Sequence, residues 1–199
     1  ISVEEQEDLL ILGNSGIGKT TLLHLLAGLL KPVDGNILID DTAINSLSAS
    51  KLDAYRGQNI GLVFQKNLAV QSLSVFENLQ ARLFFSRKPI NNNAINELLN
   101  DLGLSEYKNR NINELSEGQL QRLGIALSVI HNPKVILADE PTANLDSKST
   151  ENLLDIMARL NEEEGITFIF STHDQRVIDR ARRVITMEDG KIISDENRG

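Results

Sequence analysis

Short apolar runs alternate along the chain with longer segments in which apolar residues recur at helical spacing. The first run, residues 9–12, stops at a glycine, as expected for a strand buried on both faces of a parallel sheet. The next segment is rich in leucine and predicts a helix that begins near Gly18 and ends at Lys31-Pro32. Further strand-like runs lie at residues 36–40, 60–64, 135–138 and 166–170. This alternation predicts an α/β sheet.

The middle of the chain breaks the alternation, because residues 65–131 are predominantly helical in pattern. From Lys134 strands and helices alternate again, with a helix that starts at Asp146 or Ser147. Near the end, Asp189-Gly190 lies between two short apolar runs and predicts a hairpin. We therefore expect one domain, with an α/β core, an inserted helical subdomain and a small antiparallel β element. The core comprises residues 1–64 and 132–199, and the insert comprises residues 65–131.

Composition narrows the classes of function. The chain has 199 residues, of which 41% are hydrophobic, enough to bury the core of one large domain. Its 20 Lys and Arg against 28 Asp and Glu give a net charge of -8, which argues against binding nucleic acid through a basic surface. The absence of cysteine excludes disulfides and thiolate metal sites. The longest apolar stretches are far shorter than the ~18 residues that span a bilayer.

A glycine-rich segment between the first strand and the first helix is the clearest chemical motif. Gly13-Asn14-Ser15-Gly16-Ile17-Gly18-Lys19-Thr20 fits the pattern G-x-x-x-x-G-K-[ST], and Thr21 extends it. Its glycines let the backbone wrap a phosphate chain, and the helix N-terminus supplies unpaired N–H groups. Lys19 would hold the β- and γ-phosphates, and the Thr20 hydroxyl would ligate Mg²⁺. The alternative is a glycine-rich turn with an ordinary surface lysine.

Two acidic residues follow the apolar strand 135–138. Asp139 is predicted to hold the magnesium ion, and Glu140 to polarise an attacking water beside the γ-phosphate. A solvated strand end is the alternative for this pair.

Two further polar residues end apolar strands. His173 follows the strand 166–170 closely, and ligands of open α/β sheets collect at such strand ends, so it is predicted to contact the γ-phosphate. Gln65 closes the strand 60–64, where it could reach the metal or the water. In isolation either residue is more simply explained as a solvated loop residue. His24, inside the first helix, and His131, in a turn before Pro133, are given no role.

The segment Leu115-Ser116-Glu117-Gly118-Gln119 precedes an apolar helix. Ser116 is a good N-cap residue, so the start of this helix could present N–H groups to a phosphate. An ordinary capped helix is the alternative.

Taken in order, these motifs resemble those of the ATP-binding cassette, the nucleotide-binding domain of ABC transporters, over residues 8–193. The matching segments are residues 13–20 (Walker A), Gln65 (Q-loop), 115–119 (signature), 135–140 (Walker B), 144–146 (D-loop) and His173 (switch histidine). Residues 138–147 are similar to the form found in the lipoprotein-release, macrolide-efflux and cell-division branch, although that branch usually has glycine at the position of Ala143.

The resemblance implies a head-to-tail homodimer that sandwiches two ATP molecules. Ser116, Gly118, Gln119 and Asp146 of one subunit would face the nucleotide bound to the other. Lys19, Gln65, Glu140 and His173 would serve hydrolysis, and Thr20, Gln65 and Asp139 would hold Mg²⁺. Closure would need the γ-phosphate, and hydrolysis would release it.

Two departures from the family pattern stand out. Glu117 replaces a glycine of the signature, and we expect its carboxylate to point away from the nucleotide, where it complements the helix dipole. No Phe, Trp or Tyr precedes Tyr55, which leaves adenine stacking unassigned. Since the sequence also begins at Ile1, we expect an N-terminal strand to be missing.

The resemblance also implies a partner in the membrane. Integral membrane permease subunits would dock on the helical insert, at apolar residues among Leu68, Leu73, Phe76, Leu83, Phe84 and Phe85, most of which we expect in the core. The chain would then be cytoplasmic, on the inner face of the cell membrane. A signalling or scaffold module without cargo is a second possibility. A cassette that acts on DNA or ribosomes is disfavoured by the acidic charge.

Overall fold

The fold is built on a six-stranded sheet with the strand order β4-β5-β6-β1-β7-β8. The computed structural model describes residues 1–64, 69–143 and 145–198. Neighbouring strands pair in parallel except β8, which is antiparallel to β7. The strands are β1 (Asp8–Leu12), β4 (Ile60–Val63), β5 (Val135–Asp139), β6 (Thr167–Ser171), β7 (Arg183–Glu188) and β8 (Lys191–Asn197). The prediction of a mostly parallel α/β sheet is confirmed, as is the predicted hairpin, which is β7 and β8.

Helices cover both faces of this sheet. Within each buried strand, successive side chains point to opposite faces. Leu9 and Ile11 of β1 therefore join one apolar cluster, together with Leu23 of the first helix. Leu10 joins the other cluster, which contains the apolar residues of the helical middle of the chain. Such runs of consecutive apolar residues are typical of strands buried on both sides.

Three elements between β1 and β4 differ from expectation. Helix α1 (Lys19–Leu26) ends before the predicted Lys31-Pro32, and Leu29 and Leu30 are exposed. Helix α2 (Ala49–Asn59) was not predicted, because it contains no fully buried residue and so has no apolar stripe. The predicted strand 36–40 is a two-residue strand, β2 (Leu38–Ile39), paired with β3 (Thr42–Ala43) in a separate antiparallel sheet.

In the described residues between β4 and β5, the part of the chain for which the insert is predicted, there are three α-helices. They are α3 (Val75–Phe85), α4 (Asn92–Asp101) and α5 (Glu117–Val129). Helix α5 lies directly on β4, since a Cβ atom added at Gly61 would be 2.4 Å from the Ser128 carbonyl oxygen. This close approach joins the helical segment to the edge of the sheet.

The remaining helices follow β5 and β6. Helix α6 (Ser147–Glu164) begins where the sequence predicted, and α7 (Gln175–Arg180) is a short helix after β6. Because β1, β5 and β6 are adjacent and parallel, the segments that leave their carboxyl ends meet at one edge of the sheet.

Candidate functional site

The loop between β1 and α1 wraps tightly because its three glycines, Gly13, Gly16 and Gly18, adopt conformations that other residues rarely reach. Gly13 has φ 145°, and a Cβ atom there would lie 2.5 Å from the Met187 carbonyl oxygen. Gly18 has φ 108° and is the N-cap of α1. Asn14, Ser15 and Gly16 are exposed between them. The loop therefore presents its backbone at a helix N-terminus, a geometry suited to phosphate.

Lys19 folds back over this loop. Its side chain is 7% exposed, and Nζ donates hydrogen bonds to the carbonyl oxygens of Gly13 at 2.7 Å and Asn14 at 3.0 Å. These neutral acceptors satisfy the ammonium group without neutralising it. An anion that reaches the loop would find a positioned cation.

Asp139, at the end of β5, is held by two hydroxyl groups. Thr20 Oγ1 donates to Asp139 Oδ2 at 2.6 Å, and Ser171 Oγ donates to Asp139 Oδ1 at 2.5 Å. Both bonds are charge-assisted, which makes them stronger than hydrogen bonds between neutral groups. Asp139 and Thr20, which the sequence analysis predicts to hold the same Mg²⁺ ion, are thereby brought together.

Glu140 adopts a strained conformation next to this carboxylate. Its φ is 52°, in the left-handed region that residues other than glycine rarely occupy, and its N–H donates to the Ser171 carbonyl oxygen at 3.0 Å. Strain of this kind persists where the surrounding structure enforces it, often at functional sites. Here it turns the Glu140 side chain out of the line of β5.

His173 meets the Glu140 carboxylate. The backbone N–H of His173 donates to Glu140 Oε2 at 3.2 Å, and the ring nitrogen His173 Nε2 lies 3.3 Å from Glu140 Oε1. The same Nε2 is 3.4 Å from Lys19 Nζ. One ring nitrogen therefore faces both an acid and a cation, and its tautomer determines which of them it bonds. The structure places Lys19, Thr20, Asp139, Glu140 and His173 in one contiguous cluster.

The cluster fits a hydrated Mg²⁺ ion better than an ion held mainly by protein. Among the described residues, no group of three or more His, Asp or Glu side chains is arranged to bind a metal. Mg²⁺ usually keeps several waters and binds one or two carboxylates together with substrate phosphates. Thr20 is exposed and its hydroxyl is 2.6 Å from Asp139 Oδ2, so the two can serve one such ion. Thr21 is also exposed, while Ile17 packs on the core. Gln65, Asn144 and the docking candidate Leu68 lie outside the described residues.

The signature segment starts α5 with a reciprocal cap. Ser116 Oγ accepts from the Gln119 N–H at 3.3 Å, and Gln119 Oε1 accepts from the Ser116 N–H at 2.9 Å. This capping box uses two of the amides at the helix start and leaves those of Glu117 and Gly118 at the N-terminus. In the described part of the chain, residues 115–119 form no hydrogen bond with residues 13–21. Within one chain, the structure therefore does not bring the signature, residues 115–119, together with the glycine-rich loop, residues 13–21.

Asp146 caps the neighbouring helix α6. Its carboxylate accepts from the Ser149 N–H at 2.8 Å and from the Ser149 hydroxyl at 3.2 Å. These hydrogen bonds lower the pKa of Asp146, and the bond from the Ser149 backbone N–H has the largest effect. Leu145, beside it, lies close to Gly118, since a Cβ atom at Gly118 would be 3.7 Å from Leu145 Cδ2. The starts of α5 and α6 are thus neighbours.

Ser171 is a functional-site residue that the sequence did not indicate. It is completely buried at the end of β6 and bonds both acidic residues, one through its hydroxyl and the other through its carbonyl. The available signal was a hydroxyl residue directly after Phe168, Ile169 and Phe170 in the strand. It is a weak signal, because buried serines often bond only to backbone.

A groove lies on the other side of β4 from the rest of the sheet, between α2, α3 and α5. Its volume is about 640 Å³, and apolar residues such as Leu62, Phe85 and Leu127 line it together with Arg56 and Arg82. Glu117 is exposed and also lines this groove. Phe84 and Phe85 are 68% and 73% exposed rather than in the core, whereas Leu83 is buried. We call this surface the α2/α3/α5 groove.

None of the helices in the described ranges is long and apolar enough to cross a membrane. A search of protein-family models matches residues 1–143 to the ABC transporter family. The macrolide export ATP-binding/permease protein MacB of Bdellovibrio bacteriovorus is 38% identical over 98% of this chain, which spans only 30% of that protein's length. The lipoprotein-releasing system ATP-binding protein LolD of Syntrophotalea carbinolica is 36% identical over 96% of this chain and 86% of its own.

Solved structures of ABC transporter cassettes are also similar to this chain. The ATP-binding cassette MJ0796, in a dimeric post-hydrolysis state bound to ADP and Pi, matches all of this chain and 88% of its own with a TM-score of 0.93 at 35% identity. The structure of cbiO1 from Clostridium perfringens, part of the transporter complex cbiONQ, matches all of this chain and 80% of its own with a TM-score of 0.86 at 30% identity. The chain belongs to the ABC transporter family, as one of its ATP-binding cassettes.

Proposed function

We propose that this chain binds ATP with Mg²⁺ and hydrolyses it between two copies arranged head to tail, and that this cycle powers a membrane transporter or extractor. The cluster of Lys19, Thr20, Asp139, Glu140 and His173 carries the proposal. It combines a cation for phosphate, oxygen ligands for a divalent ion and an acid–histidine pair at one edge of the sheet.

Each residue then has a distinct task. Lys19 exchanges the carbonyl oxygens of the loop for the β- and γ-phosphates, while Gly13 to Thr21 surround the phosphate chain with backbone N–H groups. Thr20 and Asp139 would hold Mg²⁺, with Gln65 as a further ligand. When bound, Mg²⁺ neutralises charge that develops on the phosphate oxygens.

Glu140 is the residue best placed to activate the attacking water. Its carboxylate accepts a hydrogen bond from the backbone N–H of His173, and its side chain is only 18% exposed. His173 Nε2 is within 3.4 Å of Lys19, so it can reach the γ-phosphate that Lys19 binds. In this scheme His173 reports on the presence of the γ-phosphate, and Glu140 accepts a proton from the water.

The second copy supplies the other wall of the site. Ser116, Gly118 and Gln119 would contact the γ-phosphate of the partner's nucleotide, and Asp146 would lie near it. The amides that the capping box leaves at the start of α5 support this arrangement. So does the dimeric state of the MJ0796 cassette to which the chain is similar.

The α2/α3/α5 groove is the proposed contact with integral membrane permease subunits. It is large, partly apolar and bordered by exposed Phe85, which suits an amphipathic helix of a partner. The names of the relatives MacB and LolD describe export and lipoprotein release, which supports a transport role. The chain would act in the cytoplasm, on the inner face of the membrane, and the net charge of -8 argues against binding nucleic acid through a basic surface.

The first experiment measures phosphate release from ATP by the purified chain, with Mg²⁺ and with EDTA. We expect slow release that requires Mg²⁺ and is lost in Lys19→Ala. Lys51→Ala, which removes an exposed lysine of α2, is the control and should hydrolyse ATP normally. Equal release with EDTA, or from Lys19→Ala, would contradict the proposal.

A second experiment separates transport from signalling, which both fit an ATP-driven dimer. The chain is reconstituted in lipid vesicles with a candidate permease chosen from the neighbouring reading frames, and cargo movement is measured as ATP is consumed. Movement that stops in Lys19→Ala supports transport. ATP turnover without any cargo movement favours the signalling or scaffold role.

A further inference from the structure

Ser171 joins the two acidic residues of the site. Asp139 and Ser171 are paired positions of the neighbouring parallel strands β5 and β6. The Ser171 hydroxyl donates to Asp139 Oδ1 at 2.5 Å, and its carbonyl oxygen accepts from the Glu140 N–H at 3.0 Å. One buried residue therefore fixes the side chain of the first acid and the backbone of the second.

The Ser171 hydroxyl does not merely fill space in the sheet. The strand before it is buried throughout and carries Phe168, Ile169 and Phe170, so packing alone would favour an apolar residue. A hydroxyl that is completely buried is costly unless it is hydrogen-bonded. Its partner here is the charged carboxylate of Asp139, which makes the bond stronger than one to a neutral acceptor.

The two hydroxyls on Asp139 have different freedom. Thr20 belongs to the phosphate loop and is exposed, so it can rearrange when nucleotide binds. Ser171 belongs to a central strand and is completely buried. The orientation of the carboxylate thus depends on Ser171 whenever Thr20 moves.

We infer that Ser171 is a positioning residue whose hydroxyl orients Asp139 toward Mg²⁺, while its main-chain carbonyl, which any residue here would provide, holds the Glu140 N–H. The inference rests on the proposed function, in which Asp139 holds the metal. Residues that hydrogen-bond a metal ligand typically affect metal affinity or activity by about 10- to 100-fold. Removal of the hydroxyl should therefore weaken the response to Mg²⁺ more than it weakens nucleotide binding itself.

The test measures equilibrium binding of a fluorescent ATP analogue as Mg²⁺ is raised, for the wild type, Ser171→Ala and Ser171→Thr. We expect Ser171→Ala to need roughly tenfold more Mg²⁺ for half of the metal-dependent increase in affinity. Its affinity in EDTA should be unchanged, because Lys19 and the loop are intact. Ser171→Thr keeps a hydroxyl and should recover most of the Mg²⁺ response.

Ser128→Ala is the matched control. Ser128 is also a buried serine, but its hydroxyl donates to the Ile125 carbonyl oxygen within α5. Unfolding midpoints of both alanine variants show how much stability each one loses. If Ser128→Ala shifts the Mg²⁺ response as much as Ser171→Ala does, the effect comes from stability and the inference is wrong.

An unchanged Mg²⁺ response in a folded Ser171→Ala variant would likewise overturn the inference, and so would equal losses in Ser171→Ala and Ser171→Thr. These outcomes differ from a failure of the proposed function. In that case the wild type itself would show no nucleotide binding that depends on Mg²⁺.

Discussion

The proposed phosphate site around Lys19 and the α2/α3/α5 groove each contain a cation that bonds main-chain carbonyl oxygens, buried in the first and partly buried in the second, but the partners of the two cations differ. In the phosphate site, Lys19 bonds loop carbonyls and lies near the ionisable pair of Glu140 and His173. In the groove, Arg82 donates to the carbonyl oxygens of Leu127 and Ile60, each at 3.2 Å. Its guanidinium also contacts His131 Nε2 at 2.9 Å.

The two cations differ in whether a ligand can replace the groups that they bond. The Lys19 partners belong to a glycine-rich loop at the surface, so a phosphate can replace them. The Arg82 partners are main-chain atoms at the end of α5 and in β4, together with the His131 side chain, and they join the helical segment to the sheet. Under the proposed function the first cation binds a ligand, whereas the contacts of the second hold elements of the fold together.

The largest effect should come from Glu140→Gln, which removes the proposed base from the phosphate site. We expect ATP turnover to fall by about 10²- to 10⁴-fold, as is typical when general-base catalysis is lost. ATP binding should persist, and a dimer should accumulate with ATP in size-exclusion chromatography. Glu163→Gln, at an exposed position of α6, is the control. Equal turnover in Glu140→Gln and wild type would exclude Glu140 as the base.

Arg82→Met should alter stability instead of the chemistry of hydrolysis. It leaves the Leu127 carbonyl oxygen without its arginine donor and leaves the Ile60 carbonyl oxygen with only the His131 contact at 3.3 Å, so the free energy of unfolding should fall by about 2 kcal/mol. Urea unfolding measures this loss. Arg180→Met removes only an exposed ion pair with Asp155 and should cost less than about 1 kcal/mol. Similar losses in both variants would remove the contrast drawn between the two cations.

The same contrast explains which features the sequence could predict. The acids, the lysine and His173 were found because each follows an apolar strand or opens a helix, so local pattern fixes their place at one sheet edge. The Arg82–His131 contact and the groove arise where elements distant in sequence meet, and His131 was given no role. Helix α2 was missed because none of its residues is fully buried. Ser171 was missed because its importance depends on its pairing with Asp139 across the sheet.

His131 should make stability depend on pH. Burial, followed by the positive charge of Arg82, lowers the pKa of His131 from 6.5 to about 3. Below pH 6.5 the unfolded chain takes up a proton that the folded chain does not, so the free energy of unfolding should decrease as pH falls from 6.5 toward about 3. His131→Gln should reduce this decrease, measured by urea unfolding at several pH values.

The effect of Asp8 on the pH dependence of stability should have the opposite sign to that of His131. Burial raises the pKa of Asp8 from 3.8 to about 6, so its contribution to stability is present below pH 3.8 and is lost as pH rises through about 6. Asp8→Asn should therefore make the acid-induced decrease steeper, whereas His131→Gln makes it shallower. Parallel profiles for the two variants would contradict the pKa shifts.

The smallest effect on hydrolysis should come from Glu117, which stands where the family signature usually has glycine. Its carboxylate is exposed and lines the groove, so it acts on the nucleotide mainly as a screened charge at the start of α5. We expect ATP turnover of Glu117→Gly and Glu117→Gln to stay within about twofold of wild type at physiological salt. Phosphate release by the isolated chain measures it. A larger rise shared by both variants would place the carboxylate at the nucleotide, and a rise in the glycine variant alone would implicate the backbone of the helix start.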